Sequence, residues 1–371
     1  MTAVFDVLTC RGHPRELGRQ HGEGARALVH EHLGRVRERL AELSPALDPI
    51  AAALEYRRPV LDTAPELDDE ILGIADGAGI SPGEAYLLQV RAEVATTAWR
   101  ALAARRAAGG DDGAAAGDGD GAECTTFAIG PERTAGLGPI AGGNSDLPSM
   151  YHRLMVGLRL RPVSGPPILM ATPAGQISYV GMNGEGLALF ANSVQCDGWR
   201  RGFPRYLLSR LALRHSTVDD ALGALAGVDR AASRNILLAD RTGRHATLET
   251  TPELAPVVEG EDHLLVHANH FESPQGREIE TAWPEWMADS RQRGDRLRQL
   301  LDRDPISIDD VQRALADRHG LPYALSREPN EDGTNTMTVV SNVARPDAGA
   351  IAVAAGPPHR TPYHELHVEA P

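Results

Sequence analysis

Residues 117–130 read GDGDGAECTTFAIG. A glycine–aspartate run passes directly into Cys124, Thr125, Thr126 and an apolar strand. The run closes a longer stretch, AAGGDDGAAAGDGDG (107–121), that has no large apolar side chain. Such a stretch can bury nothing to offset its ordering entropy, so a mobile linker is expected there. An EF-hand loop starting at Asp118 is excluded, because Ala122 and Glu123 stand where the fifth and sixth loop positions need a carboxylate or amide and a glycine.

The stretch also divides two textures. Upstream the pattern is helical: Leu17, His21, Ala25, Leu28, Leu33, Val36 and Leu40 keep a helical period across 16–43, behind a short strand at 4–8. A second helical block spans 67–103 and is broken at GISPGE, where Ser81 and Glu84 form a capping-box pair for the next helix. Downstream, TTFAIG, PIAGGN, RLMVGLRLR, PPILMAT, ISYVGMN and GLALFANS are short apolar runs punctuated by Gly, Pro and Asn, the signature of antiparallel meanders. Helices are expected near 203–213 and 217–225, with strands at NILLAD, HATLET, APVVEG and HLLVHAN. Further helices are expected near 289–301 and 308–316, before strands at TMTVVSNV, AIAVAAG and YHELHV. Runs of strands with helices grouped between them give an α+β fold, with helices layered over packed sheets.

Composition narrows the function. The chain has 371 residues, 42% of them hydrophobic and 24% charged, the profile of a globular protein. No apolar run reaches membrane-spanning length, and the N-terminus lacks a signal-peptide pattern, so a cytoplasmic location is expected. A net charge of −14 offers no basic footprint for nucleic acid or an anionic membrane. Every Lys/Arg-type cation is arginine, which excludes Schiff-base chemistry, a pyridoxal phosphate anchor and lysine-dependent phosphate loops. Cys10, Cys124 and Cys196 are odd in number and widely spaced, against both a disulfide framework and a zinc ribbon.

A lone cysteine at a strand start is ordinarily a small buried hydrophobe, the reading given to Cys10 and Cys196. Cys124 differs. A flexible segment precedes it, a rigid strand follows it, and the hydroxyls of Thr125 and Thr126 flank its sulfur. ECTTFAIG followed by IAGGNSD resembles the nucleophile region of the N-terminal-nucleophile (Ntn) hydrolases. Within them it resembles most the acyl-coenzyme A:isopenicillin N acyltransferase family, whose precursors cut themselves before a Cys-Thr-Thr. RGHPRELGRQHG, ELDDEILGIADGAGIS, NGEGLALFANS, SRNILLADRTGRHATLE, HANHF, DSRQR and TVVSNVARPDAGAIAVAAGPP continue the likeness, in order, over nearly the whole chain.

The resemblance implies an αββα sandwich of two antiparallel sheets between helical layers. It divides the chain into a helical N-terminal segment, 1–123, and a catalytic core, 124–371. It implies cleavage between Glu123 and Cys124, after which Cys124 is nucleophile and, through its new α-amine, general base. A thiol near pKa 8.5 and an α-amine near 8 are closely matched for that exchange. Asn235 corresponds to the oxyanion-hole asparagine and Asp146 to the aspartate that binds the amine. Arg291, beside Ser290, is taken as the partner of Asp146, with Arg293 and Arg296 as alternatives on the same stretch. Thr125, Thr126 and Asn144 are supporting residues. The resemblance implies small-molecule acyl donors, acyl-coenzyme A among them as a substrate, with water or an amine as acceptor and no cofactor or metal. It also implies fragments that stay associated, homo-oligomers being open, and a setting in specialised metabolism.

Two departures stand out. Glu123 replaces a glycine of the penicillin-forming members, and its carboxylate beside a forming thiolate would disfavour cleavage. Gly143 occupies a position that is arginine in the bile-salt hydrolase and penicillin V amidase branch. Two other readings remain open: an unprocessed Ntn-like amidase or binding scaffold, supported by Glu123, and a metal-dependent amidohydrolase using His267 and His270. Glu31 between His30 and His32 reads as a solvated helix face.

Overall fold

The computed structural model describes residues 6–108, 123–331 and 333–369. The acidic glycine run from 109, and its expected mobility, lie outside the described residues. Chain order begins with β1 (Val7–Gly12), α1 (Pro14–Gly24), α2 (Arg26–Leu43), α3 (Pro49–Leu54), α4 (Arg57–Thr63), α5 (Pro65–Ala78) and α6 (Pro82–Ala108). The Ser81–Glu84 capping box forms as the sequence predicts: the Ser81 amide donates to Glu84 Oε2 at 2.6 Å and the Glu84 amide to Ser81 Oγ at 3.3 Å. The expected continuous helix across 16–43 is two helices, because Ala25 leaves the helical region at φ −109°, ψ 18°.

After the boundary come β2 (Thr125–Ile129), β3 (Ile140–Pro148), β4 (Met155–Pro162), β5 (Ile168–Pro173), β6 (Val180–Asn183) and β7 (Leu187–Asn192). Two helices follow, α7 (Leu207–Ala212) and α8 (Val218–Ala226), then β8 (Arg234–Asp240), β9 (His245–Thr250), β10 (Val257–Val258) and β11 (Leu264–His267). The chain ends through α9 (Pro274–Glu278), α10 (Pro284–Leu301), α11 (Ile308–Leu315), β12 (Thr336–Arg345), β13 (Ala350–Ala354) and β14 (His364–His367).

Two sheets result. One has eight strands in the order β1-β4-β5-β6-β7-β8-β9-β10, the other six in the order β11-β2-β3-β12-β13-β14. Among the strands of the described residues all pairings are antiparallel but one: β1 runs parallel to β4, so the N-terminal segment supplies an edge strand to the larger sheet. The wholly antiparallel sheets expected from the sequence are corrected at that edge.

Strand alternation sorts side chains into layers. On β7 and β8, Leu187, Leu189, Ile236 and Leu238 enter one apolar cluster with α1, α2, α5 and α6, whereas Ala188, Phe190, Leu237 and Ala239 enter a second. That second cluster also takes Ala128, Ala141 and Ile351 from the smaller sheet. Phe127, Ile129 and Ile140 face the other way, onto Leu297 and Leu301 of α10 and Val311 and Leu315 of α11. Helices, sheet, sheet, helices: the α+β sandwich is a four-layer arrangement. Among the described residues, no helix is long and apolar enough to cross a membrane.

Candidate active site

Cys124 sits one residue before β2, a central strand of the smaller sheet, and is buried. The ladder extends past the strand's formal end, since the Glu123 amide donates to the Asp146 carbonyl at 2.9 Å. Successive side chains on an extended strand point to opposite faces. Cys124 Sγ lies 4.0 Å from Tyr179 Oη. The Glu123 carboxylate turns instead to the buried guanidinium of Arg327. That pairing answers the concern raised by Glu123: its charge is engaged by a cation rather than left against the thiol.

A row of alternating charges runs behind Cys124. Arg327 Nη1 meets Glu123, while Arg327 Nη2 donates to Asp289 Oδ1 at 2.7 Å. Asp289 in turn accepts from Arg293, with Nη2 at 2.9 Å from Oδ2. Arg293 is fully buried and reaches the nucleophile region directly. Its Nη1 donates to the Cys124 carbonyl at 2.9 Å and to Thr125 Oγ1 at 2.6 Å. Its Nη2 also donates to Asn269 Oδ1 at 3.0 Å. Burial alone would weaken this cation, but Asp289, Asp146 and a Cys124 thiolate favour it and hold its pKa above the ordinary arginine value.

The arginine expected at the site was Arg291, and this is corrected. Arg291 is exposed on α10, and its charge acts on Glu280. Two residues on, helical rotation carries Arg293 inward. Arg296 pairs with Asp317 at 2.9 Å. Ser290, buried, accepts from the Asn269 amide at 2.6 Å and lies 2.8 Å from His270 Nδ1. It thereby orients Asn269, which receives Arg293.

Asp146 is buried, and its Oδ1 accepts from Thr338 Oγ1 at 2.6 Å. Thr338 Oγ1 also accepts from the Arg327 amide at 3.0 Å, so Asp146 and Arg327 are registered through one hydroxyl. The Cys124 thiol is pushed up to about 12, first by burial and next by the negative charge of Asp146. The Asp146 amide, Arg293 and Tyr179 pull the other way. The uncut chain therefore holds a neutral thiol.

Asn235 lies on β8, directly across from Asn192 on β7. Its Nδ2 donates to Asn192 Oδ1 at 2.9 Å and its Oδ1 accepts from Thr247 Oγ1 at 2.5 Å. Asn192 Oδ1 also accepts from Thr126 Oγ1 at 2.8 Å, which links the two sheets beside the nucleophile. Asn144 is further off: its Nδ2 donates to the carbonyls of Leu315 and Leu325, 2.9 and 2.7 Å away, and so fixes the segment that delivers Arg327.

Tyr179, Asn192, Ser193, Arg205, Tyr206 and Arg234 line, with Cys124, a cavity of about 10 Å³. That is the lower limit for one water molecule. Arg234, pulled down to about 10 chiefly by burial, is a cation that a Cys124 thiolate would stabilise. Sequence reasoning missed Tyr179, Asn192, Arg234, Asp289 and Arg327. Arg234, Asn192 and Asp289 lie in the quoted stretches SRNILLAD, NGEGLALFANS and DSRQR, but nothing local marks them as site residues.

His267 and His270 do not form a metal centre. His267 Nε2 is 2.7 Å from Glu249 Oε1 with both side chains buried, and its Nδ1 lies 2.8 Å from the Ala268 carbonyl. His270 is held between Ser290 and Glu272. Among the described residues no group of three His, Cys, Asp or Glu side chains is arranged to hold a metal ion.

The chain is similar to several known proteins. The sequence model of the acyl-coenzyme A:6-aminopenicillanic acid acyl-transferase family matches residues 163–360. The acyl-coenzyme A:6-aminopenicillanic-acid-acyltransferase 40 kDa form of Emericella nidulans is 26% identical over 350 residues, covering 91% of this chain and 88% of that protein. Among solved structures, an arginine-to-leucine variant of conjugated bile acid hydrolase from Clostridium perfringens aligns at 13% identity and a TM-score of 0.48, over 66% of this chain and 92% of that one. Penicillin V acylase from Agrobacterium tumefaciens aligns at 14% identity and a TM-score of 0.34, over 64% and 75%. The chain belongs to the acyl-coenzyme A:6-aminopenicillanic acid acyl-transferase family and is an acyl-transferring enzyme.

Proposed function

We propose that this protein is a self-processing cysteine acyltransferase or amidohydrolase in which Cys124 carries the acyl group. Cys124 Sγ first attacks the Glu123 carbonyl. The S–C bond forms as the C–N bond breaks, and the thiol's proton ends on the Cys124 nitrogen. Water then hydrolyses the thioester, leaving Glu123 as a chain end and Cys124 with a free thiol and an α-amine. In turnover the α-amine takes the thiol proton, the thiolate attacks an amide or thioester carbonyl, and the leaving group departs with that proton. Water or an amine then accepts the acyl group.

The observation that carries this reading is the closed site of the uncut chain. Beside a buried, neutral thiol there is room for one water and none for a substrate. Withdrawal of the Glu123 end would open that space and supply the base at once. Asp146 is suited to bind the amine, and Arg293 to fix the Cys124 carbonyl. Asn235 and Asn192 are suited to donate to an oxyanion. The name of the Emericella relative couples acyl-coenzyme A with 6-aminopenicillanic acid. That supports small-molecule acyl donors and acceptors here.

Intact mass spectrometry of the wild type beside Cys124→Ala tests the reading. The expected result is two fragments, ending at Glu123 and starting at Cys124, with the variant whole. An uncut wild type that still hydrolyses acyl substrates would overturn the α-amine mechanism.

A further inference from the structure

Glu123 contributes more than a scissile carbonyl. In self-cleavage its own carbonyl is the acyl group that Cys124 receives, so the uncut chain holds an acyl donor in the site. That donor is a five-carbon diacid counted from carbonyl to carboxylate, and its far carboxylate lies on Arg327. We propose that Arg327 is the carboxylate-binding residue of the acyl pocket, and that the enzyme takes glutaryl- or α-glutamyl-type acyl groups. This rests on the reading of Cys124 as the acyl-accepting nucleophile.

Three observations support the assignment. Arg327 is built in rather than incidental: its side chain is only 3% exposed, one edge is held by Asp289, and its amide is tied to Thr338. Asp289 holds one nitrogen of the guanidinium, and Glu123 meets the other, Nη1. The Nη1 position is therefore the one exchanged when the Glu123 end withdraws.

The second observation is registration. The path Arg327–Asp289–Arg293 ends on the Cys124 carbonyl, so the distance from guanidinium to nucleophile is set by buried ion pairs. The third is charge. Before cleavage Glu123, Asp146 and Asp289 face Arg293 and Arg327; cleavage adds an α-carboxylate at Glu123 and an amine at Cys124, and departure of the cut end then takes both Glu123 carboxylates away. Asp289 stays on Nη2 throughout, and an incoming substrate carboxylate takes the place of Glu123 at Nη1. A charged, geometrically fixed pair of this kind discriminates against a methyl group of similar reach.

The test uses self-processed wild type, Arg327→Gln and Arg327→Lys, with glutaryl-p-nitroanilide and pentanoyl-p-nitroanilide. In each turnover Cys124 Sγ bonds to the acyl carbon, nitroaniline leaves with the thiol's proton, and water releases the acid. The expected kcat/KM ratio of glutaryl to pentanoyl is about tenfold or more in the wild type, falls about tenfold in Arg327→Gln, and is partly kept in Arg327→Lys. A wild-type ratio near one, or a ratio untouched in Arg327→Gln, overturns the proposal. If neither anilide reacts, iodoacetamide labelling of Cys124 decides. Glutarate must then slow labelling more than pentanoate in the wild type, with that difference lost in Arg327→Gln; equal protection by the two acids overturns the proposal. A chain that self-cleaves and forms a Cys124 adduct with a pentanoyl thioester, yet shows no carboxylate preference, sinks this inference alone. Absence of both cleavage and any adduct sinks the nucleophile reading itself.

Discussion

At the scale of single residues, the two arginines on one turn of α10 have opposite consequences. Arg293 is buried and bonds Asp289, Asn269, Thr125 and the Cys124 carbonyl. Truncating one member of a buried ion pair leaves the other uncompensated, at a cost of about 3–5 kcal/mol. Arg293→Gln is therefore expected to lower unfolding free energy by that order and to leave the chain uncut by mass. Arg291→Gln removes an exposed charge and is expected to stay within about 0.5 kcal/mol of wild type, with cleavage intact. Reversed outcomes would restore Arg291 as the site arginine. The contrast also shows what a sequence conveys about such a site. Cys124 was legible because composition changes abruptly beside it, and Asp146 and Asn235 because they sit in recognisable motifs. DSRQR locates a turn of helix without saying which arginine faces inward, since that depends on how α10 packs over Phe127 and Ile129. Arg327 had no signal at all, because its partners Glu123 and Asp289 meet it only through the fold. A different residue gives the pH dependence. Burial, then the charge of Glu249, raises Glu280 from 4.5 to about 7. A carboxyl with a raised folded pKa keeps its proton while the unfolded chain releases it, so stability falls as pH rises from 4.5 through 7. Glu280→Gln removes that dependence. Its advantage over wild type in denaturant titrations is expected to grow between pH 4.5 and 7.5. A difference that is flat with pH would contradict the assignment.

At the scale of elements, α1 and α5 pack through glycines. A Cβ on Gly18 would lie 1.9 Å from the Glu70 carbonyl oxygen, and one on Gly73 2.1 Å from that of Arg15. Gly77 is as tight against the Arg19 carbonyl oxygen, at 2.0 Å, and Gly22 somewhat less so against that of Ile74, at 2.5 Å. No rotamer change relieves a clash with backbone, so the helices must separate. Gly73→Ala is expected to cost about 1–3 kcal/mol despite alanine's better helix propensity, read as a drop in thermal midpoint. A neutral or stabilised variant would mean the helices are not in this contact. The same argument explains Gly143, where an added Cβ would sit 2.2 Å from the Thr125 carbonyl oxygen. A larger side chain there would need a different spacing between β2 and β3. Long periodic helices and alternating strands were legible in the sequence because one buried face repeats along each. The short helices α3, α4 and α9 were not, being too brief for a period to register. The parallel pairing of β1 with β4 was equally hidden, since it joins residue 7 to residue 157 and no local pattern encodes such a partner.

At the scale of the molecule, the expected division at residue 123 cuts the chain and not the fold. Residues before the cut supply β1, paired to β4 from Val7 to Gly12, and the helices that cover the larger sheet. Leu158, Leu160, Met170, Leu189, Ile236, Leu238 and Leu248 all share one cluster with Leu17, Val29, Ile71, Ile74 and Leu87 from the other side of the cut. At about 1.5–3 kcal/mol for each large apolar side chain, exposing those seven alone would cost about 10 kcal/mol or more. That is comparable to the whole stability of a typical domain, about 5–15 kcal/mol. Processed protein is therefore expected to elute from a sizing column as one species containing both fragments, and to resolve into two only in denaturant. The fragment 124–371 expressed alone is expected to be insoluble, or soluble with strong binding of a hydrophobic dye. Either failure has the same cause: half of the larger sheet's apolar surface loses its cover. Should 124–371 instead fold and turn over acyl substrates by itself, residues 1–123 would be a dispensable pro-segment, and the helical layer would have no part in holding the site together.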